Sequence, residues 1–136
     1  MCERIKRNQM MAPLHSDAAF AEWYVEEFMK IHVPEYYFDD VLSDEGKREM
    51  TIQGRSYAKQ FGITDTPSQM HFVTLMWKIG PNFFTHDGFH QIATDPRLDG
   101  PAKINGFYDM PREQAIHAVM NPDDRYWYPD QIPRDG

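Results

Sequence analysis

A chain of 136 residues is long enough for one domain with a hydrophobic core of its own. Hydrophobic residues make up 41% and aromatic residues 14% of it, which excludes an intrinsically disordered chain. The formal net charge is −7 and no long basic run occurs, so we expect no nucleic-acid partner. No apolar run approaches the roughly 20 residues of a membrane span, and no secretory signal is present, which predicts a cytoplasmic protein with no membrane partner.

The first part of the chain is predicted to contain one amphipathic helix. Residues 1–15 are expected to form a flexible lead, and residues 16–136 a single helical domain that includes a C-terminal strap. Ser16 is a typical N-cap residue, and large apolar side chains then recur at every fourth position. This pattern predicts a helix that runs to about His32, where a proline soon follows. The aromatic and acidic segment of residues 34–42 is predicted to be a loop or short turn.

A second helix is predicted to begin at Ser43 and to end at Gly62, where glycine can adopt the left-handed conformation. Its apolar side is expected to face the core through Met50, Gly54, Tyr57, Ala58 and Phe61. Its basic side chains are expected to face the solvent, namely Lys47, Arg48, Arg55 and Lys59.

The central helix is predicted between Thr66 and Gly80. Thr66 is the expected N-cap, and Gln69 lies three residues later, where it would complete a capping box. Gly80 is expected to end the helix in the left-handed conformation. The polar positions fall on one narrow line, formed by His71, Thr74 and Lys78. Because the remaining surface is apolar, we expect other elements to surround this helix on most sides.

Shorter helices are predicted from about Asp87 to Thr94, from Pro101, and from near Pro111 to Asn121. The last of these carries Ala115, Ile116, Val119 and Met120. No stretch alternates as a half-buried strand does. The sequence therefore predicts an all-α fold, a compact bundle of three longer helices and two or three short ones with an irregular C-terminal tail.

His86 and His90 are the strongest candidates for chemistry. Histidines four residues apart can share one face of a helix and bind zinc. The residue after His86 is not the glutamate of a zinc-protease motif, and no third protein ligand is indicated. We therefore expect surface or capping histidines in a protein that is not an enzyme and has no metal and no cofactor. The alternative is a metal-dependent enzyme that uses His86 and His90.

Two aromatic clusters beside acidic residues are candidates for partner binding. They consist of Tyr36, Tyr37 and Phe38, and of Tyr126, Trp127 and Tyr128. Aromatic anchors surrounded by polar groups are typical of protein interfaces. In the other interpretation, these rings attach a loop and the tail to the helices and keep their polar ends in water.

One stretch carries a resemblance to known proteins: FGITDTPSQMHFVTLMWKIGPNFFTH, followed by ATDPRLDGPAKINGFY, about residues 61–108. Its aromatic–Gly–Ile turn, apolar helix, Gly-Pro-Asn-Phe and Asp-Pro stop resemble small helical accessory proteins encoded beside bacterial type VI secretion toxins. The resemblance implies a bacterial cytoplasmic protein that binds an effector toxin or its chaperone, as an accessory chaperone or adaptor. The alternative implied by the same setting is an immunity protein that neutralises a cytosolic toxin. No catalytic residues come with the resemblance.

Overall fold

The computed structural model describes residues 16–37 and 43–127. The described residues form helices and 3₁₀ turns and contain no strand, so the predicted all-α class is confirmed. The chain divides into two compact units, residues 1–52 and residues 53–136. The predicted lead lies outside the described residues, and a single domain over residues 16–136 stays a prediction.

The first unit begins with the predicted amphipathic helix. Helix α1 (Asp17–Trp23) is capped by Ser16, whose Oγ accepts a hydrogen bond from the Ala19 N–H at 3.1 Å. It continues through a π-helical stretch (Tyr24–Phe28) into α2 (Met29–His32), and thus ends where the sequence predicts. Its inner side is fully buried through Phe20, Ala21, Tyr24, Val25 and Met29. After Val33, the one-turn helix α3 (Pro34–Tyr37) takes the first part of the predicted loop.

Helix α4 (Asp44–Gln60) follows the predicted N-cap, because the Ser43 Oγ accepts from the Gly46 N–H. Gly62 adopts the expected left-handed conformation with φ of +79°. The expectation that all four basic side chains face the solvent is wrong, because Lys47 and Arg55 are buried. Each buried cation has an oxygen acceptor: the Tyr37 carbonyl lies 2.6 Å from Lys47 Nζ, and Gln69 Oε1 lies 2.8 Å from Arg55 Nε.

Helix α5 (Thr66–Lys78) is the predicted central helix, but its N-cap is Asp65 rather than Thr66. Asp65 Oδ2 accepts from both the N–H and the hydroxyl of Ser68, at 3.1 and 2.6 Å. The predicted capping box is wrong, because Gln69 is buried and donates to the Ile63 carbonyl at 3.0 Å. Gly80 also departs from the expectation, since its φ of +159° is nearly extended rather than left-handed.

Phenylalanine rings form the core around α5. The Phe83 ring lies in the 3₁₀ turn Phe83–Thr85, at the centre of the group. Its centroid is 5.0 to 5.6 Å from the rings of Phe72, Phe84, Phe89 and Phe107. Five apolar side chains of α5 are buried, which confirms that other elements surround this helix: Phe72, Val73, Leu75, Met76 and Trp77.

The three short helices also form, with bounds slightly different from those predicted. They are α6 (Phe89–Ala93), α7 (Gly100–Tyr108) and α8 (Arg112–Met120). The tail, expected to be irregular, contains one 3₁₀ turn (Asp124–Trp127) in its described part.

Helices α4 and α5 approach closely at Gly54, which generates the first testable prediction. A Cβ at Gly54 would lie 2.9 Å from Val73 Cγ2 and 3.1 Å from Met76 Sδ. We expect Gly54→Ala to lower the free energy of unfolding by about 1 kcal/mol, because overpacking outweighs the gain in helix propensity. Gly46→Ala is the matched control in the same helix.

At Gly46 an added Cβ would meet only the Ser43 Oγ, at 3.1 Å, and this exposed hydroxyl can shift by the few tenths of an ångström required while it still caps the helix. We expect Gly46→Ala to leave the melting temperature unchanged or to raise it. Thermal unfolding followed by circular dichroism measures both variants. Equal responses at the two glycines would contradict the close approach of α4 and α5.

Candidate functional site

The negative charge of the chain is concentrated in residues 16–52. This segment contains ten Asp and Glu residues against three Lys and Arg, whereas residues 53–136 contain ten against eight. Of the three basic side chains, Lys47 is buried, and its Nζ lies 3.8 Å from Asp44 Oδ1. The first unit as a whole, residues 1–52, contains eleven Asp and Glu residues against six Lys and Arg, so its net charge is negative and attracts a basic partner.

A groove of about 420 Å³ lies within this unit, between α1 and α4. We call it the acidic groove. The residues that line it are Ala18, Ala21 and Glu22 from α1, and Glu45, Arg48, Glu49 and Ile52 from α4. Three of these seven side chains are carboxylates and three are apolar.

Helical periodicity explains why these residues share one groove. On α4, Glu45 and Glu49 are four residues apart, and Ile52 follows three residues later, so all three project from one side. On α1, the small side chains of Ala18 and Ala21 are three residues apart and leave room between the helices. The three lining carboxylates, which belong to exposed residues, thus surround an apolar floor.

One guanidinium partly offsets the carboxylates. Arg48 Nη1 lies 3.4 Å from Glu26 Oε1, a residue beside the groove that does not line it. Arg48 is therefore held by a carboxylate of its own, and the three lining carboxylates remain in excess. Such a site can accept a lysine or arginine side chain, whose charged end meets carboxylates while its aliphatic stem covers the apolar floor.

The two described members of the first aromatic cluster are half-buried. Tyr36 and Tyr37 lie on α3, and Phe38 lies outside the described residues. The Tyr37 ring has two ammonium groups near its face, with its centroid 5.3 Å from Lys47 Nζ and 6.0 Å from Lys30 Nζ. These cation–π contacts hold the ring in place. Partner binding by this cluster stays a prediction.

The second aromatic cluster packs within the second unit. Trp127 is buried, and its ring centroid lies 4.6 Å from that of Trp77. Tyr126 is half-buried, and its carbonyl accepts a hydrogen bond from the Tyr57 hydroxyl at 2.7 Å. Tyr128 lies outside the described residues. The described contacts of this cluster are intramolecular, and its role in partner binding stays a prediction.

The two candidate histidines lie on different elements. His86 belongs to the turn before α6, and its Nε2–H donates to the Asn121 carbonyl at 3.1 Å. His90 belongs to α6, and its Nδ1–H donates to the Phe84 carbonyl at 3.1 Å. They therefore do not share a helix face. Within residues 16–37 and 43–127, no three His, Cys, Asp or Glu side chains group closely enough to hold a metal ion. The metal-dependent enzyme stays an untested alternative.

A second groove of about 420 Å³ lies in the second unit, between α5 and α7. Its polar side chains are partly engaged with one another: Ser68 is bonded to Asp65, and His71 Nδ1 lies 3.0 Å from the Tyr108 hydroxyl oxygen. Burial raises the pKa of Tyr108 above its usual value. Asp65 is the one acidic residue among the lining residues, so this groove lacks the charge excess of the acidic groove.

Comparison with known proteins leaves the function to be argued from the structure. No protein-family model, no curated protein and no solved structure matches this chain. The resemblance of residues 61–108 to type VI secretion accessory proteins stays a prediction. Across the described part of the chain, each helix is too short or too polar to cross a lipid bilayer.

The bond between Tyr57 and Tyr126 generates a pH prediction. Burial, and then the charge of Tyr126, raises the pKa of Tyr57 from 10.0 to about 12. The unfolded chain therefore loses this proton at lower pH than the folded protein. The stability that neutral Tyr57 contributes is complete below pH 10 and is lost as the pH rises from about 10 to about 12.

We expect the melting temperature of the unmodified protein to fall more steeply over this alkaline range than that of Tyr57→Phe. At neutral pH we expect Tyr57→Phe to melt at a lower temperature than the unmodified protein, because the Tyr126 carbonyl loses a hydrogen-bond donor. Thermal melts at neutral pH and in steps through the alkaline range measure both effects. Parallel curves for the two proteins would contradict the role of the Tyr57 hydroxyl.

Proposed function

We propose that this chain is a non-catalytic protein-binding protein that holds a basic segment of its partner in the acidic groove. We further propose that it acts in the bacterial cytoplasm as an accessory chaperone or adaptor for a toxin secreted by a type VI system. The acidic groove is the observation that carries the first statement, and the resemblance of residues 61–108 supports the second.

The composition of the acidic groove favours a basic protein segment over other occupants. Three exposed carboxylates repel phosphates and acidic peptides, and an apolar floor contributes nothing to the binding of a hydrated ion. A lysine or arginine on a partner helix or loop satisfies both parts of the lining. Exposed ion pairs add only about 0.2–1 kcal/mol each. The carboxylates therefore supply steering and orientation, and most of the affinity must come from the surrounding contact area.

We propose Tyr36 and Tyr37, on α3 of the same unit, as a second contact surface for the partner. They are half-buried on α3, and aromatic residues that remain partly accessible are suitable interface anchors. We assign Trp127 and Tyr126 a packing role instead, because the Trp127 ring is covered by Trp77 and the Tyr126 carbonyl is bonded to Tyr57.

An immunity protein is the close alternative, and the acidic groove supports it equally. A toxin that acts on nucleic acid presents a basic surface, which the carboxylates of the groove would cover. The two roles differ in their effect on the toxin. An immunity protein abolishes the activity of the purified toxin at a 1:1 ratio, whereas an accessory chaperone or adaptor leaves the released toxin active.

The test is co-purification of the tagged full-length chain with the products of adjacent genes, each co-expressed in turn. We expect one of them to co-purify at low salt and to be lost as the salt concentration is raised, because screening shortens the reach of the carboxylates to about 8 Å at physiological ionic strength. The triple variant Glu22→Gln, Glu45→Gln, Glu49→Gln should reduce the bound partner at least severalfold.

The matched control removes three negative charges at exposed carboxylates that do not line the groove, as Glu27→Gln, Asp109→Asn and Glu113→Gln. It has the same net charge as the groove variant, and we expect it to keep the partner. Equal loss in both variants would show that overall charge, rather than the groove, matters. If the chain is recovered alone with every neighbour, partner binding loses its support.

A further inference from the structure

The basic residues of the first unit are concentrated in one short run before α1. Residues 4–7 read Arg-Ile-Lys-Arg and contain three of the six Lys and Arg residues of this unit. We call residues 4–7 the basic run. It lies outside the described residues, and its composition is what matters here: three cationic side chains around one apolar side chain.

This composition is complementary to the lining of the acidic groove. None of the three carboxylates that line the groove has an ion-pair partner among the described residues. The cations of the basic run equal them in number, and Ile5 supplies an apolar side chain for a floor that includes Ile52. Arg48, the one cation of the lining, already faces the Glu26 carboxylate at 3.4 Å.

The basic run is attached to the chain within reach of the groove. Eight residues separate Arg7 from Ser16, the N-cap of α1, and they can span up to about 26 Å when extended. Glu22 is the lining carboxylate on α1 and lies about 9 Å from Ser16 along the helix axis. The tether is therefore long enough to turn back and bring the basic run to the groove of the same chain.

We propose that the basic run occupies the acidic groove of its own chain, and that the basic segment of a partner displaces it on binding. This inference rests on the proposed function, because the same groove serves both occupants. The basic run then sets a threshold for binding. A protein with few basic residues, or with little contact area around the groove, does not displace it.

The strength of this contact follows from its size. Exposed ion pairs are individually weak, so a free peptide of this composition should bind the groove only in the millimolar range. A short tether supplies an effective concentration of the same order, about 1 mM, which fills the groove of the same chain part of the time. The basic run of a second copy, present at about 50 µM, competes poorly with it.

Cys2 allows this occupancy to be measured directly. It is the only cysteine of the chain and lies two residues before the basic run, so a nitroxide attached to its thiol reports where the run is. The test uses the full-length ¹⁵N-labelled chain at low salt and about 50 µM, where the tethered run prevails over that of a second copy. The readout is the NMR signals of the amides at positions 45 and 49 of α4, which we call the α4 amides.

The α4 amides should lose at least roughly half of their intensity relative to the same chain with the nitroxide reduced, because partial occupancy brings the label beside the groove. The basic-run variant Arg4→Gln, Lys6→Gln, Arg7→Gln keeps the length of the tether and removes its charges. In this variant the loss of intensity should be at least roughly threefold smaller, and raised salt should have the same effect in the unmodified chain.

The groove variant and its matched control, both defined above, locate the contact. The groove variant should reduce the loss of intensity as the basic-run variant does, whereas the matched control, which has the same net charge, should keep the full loss. Circular dichroism spectra show whether each variant keeps its helices. Equal losses in the groove variant and the matched control, both folded, would overturn the proposal.

A mixed sample distinguishes the same chain from a second copy. It contains ¹⁵N-labelled chain without nitroxide and unlabelled chain with nitroxide, and we expect the α4 amides to keep their intensity. A loss as large as that within one labelled chain would overturn the proposal in favour of exchange between copies. So would an unmodified labelled chain without any loss, or a loss that the basic-run variant keeps.

These results are independent of the test of the proposed function, because no partner is present. Full intensity at the α4 amides would leave co-purification of a partner through the groove unaffected. A chain that is recovered alone with every neighbour would contradict the proposed function, whatever the nitroxide shows.

Discussion

Gln69 is a polar side chain in a largely apolar helix, and its hydrogen bonds join three parts of the chain. Its amide oxygen accepts from Arg55 on α4, and its amide nitrogen donates to the Ile63 carbonyl in the turn that leads to α5. Both Gln69 and Arg55 are buried, so water cannot replace either bond. A buried guanidinium or amide without a partner costs several kcal/mol, which excludes arrangements that separate these groups.

This network sets the register in which the apolar surfaces meet. Apolar contacts alone tolerate sliding of one helix along another, whereas a buried directional bond between Arg55 on α4 and Gln69 on α5 does not. With α4 and α5 held at Gln69, Gly54 lies against Val73 and Met76.

Local signals in the sequence predicted most of the helix ends, and they identified the wrong N-cap residue at the start of α5. Ser16 and Ser43 cap their helices as predicted, although an aspartate follows each of them, and Gly62 adopts the predicted left-handed conformation. At the start of α5, Asp65 and Thr66 are adjacent and both are good N-cap residues, so position alone does not choose between them. Asp65 accepts two hydrogen bonds from Ser68, which makes it the better cap.

Buried polar side chains were missed for a different reason. Hydrophobic periodicity predicts that lysine and arginine side chains face the solvent. Gln69 was predicted to complete a capping box because glutamine three residues after threonine is a common local pattern. Arg55 is bonded to Gln69, which lies 14 residues away in the sequence. Lys47 is bonded to the Tyr37 carbonyl, which lies 10 residues away. Such pairs depend on how the helices pack, which no local pattern contains.

The candidate site was predictable only in its charge. The net charge of −7 is evident in the sequence, and the spacing of Glu45 and Glu49 places both on one face of a helix. The groove itself needs Ala18 and Ala21 on a second helix opposite them, which is a non-local property. The aromatic clusters were predicted to be candidates for partner binding because their composition is typical of interfaces. Burial of Trp127 against Trp77 depends on tertiary packing that the composition does not record.

Hydrogen exchange measured by mass spectrometry, on the chain alone and with the neighbouring gene product that co-purifies, is the most direct test of binding at the acidic groove. The account predicts slower exchange in peptides from α1 and from the N-terminal half of α4 when the partner is present. Peptides from α5 and α7 should exchange at unchanged rates. Protection confined to α5 and α7, with none around Glu22, Glu45 and Glu49, would contradict it.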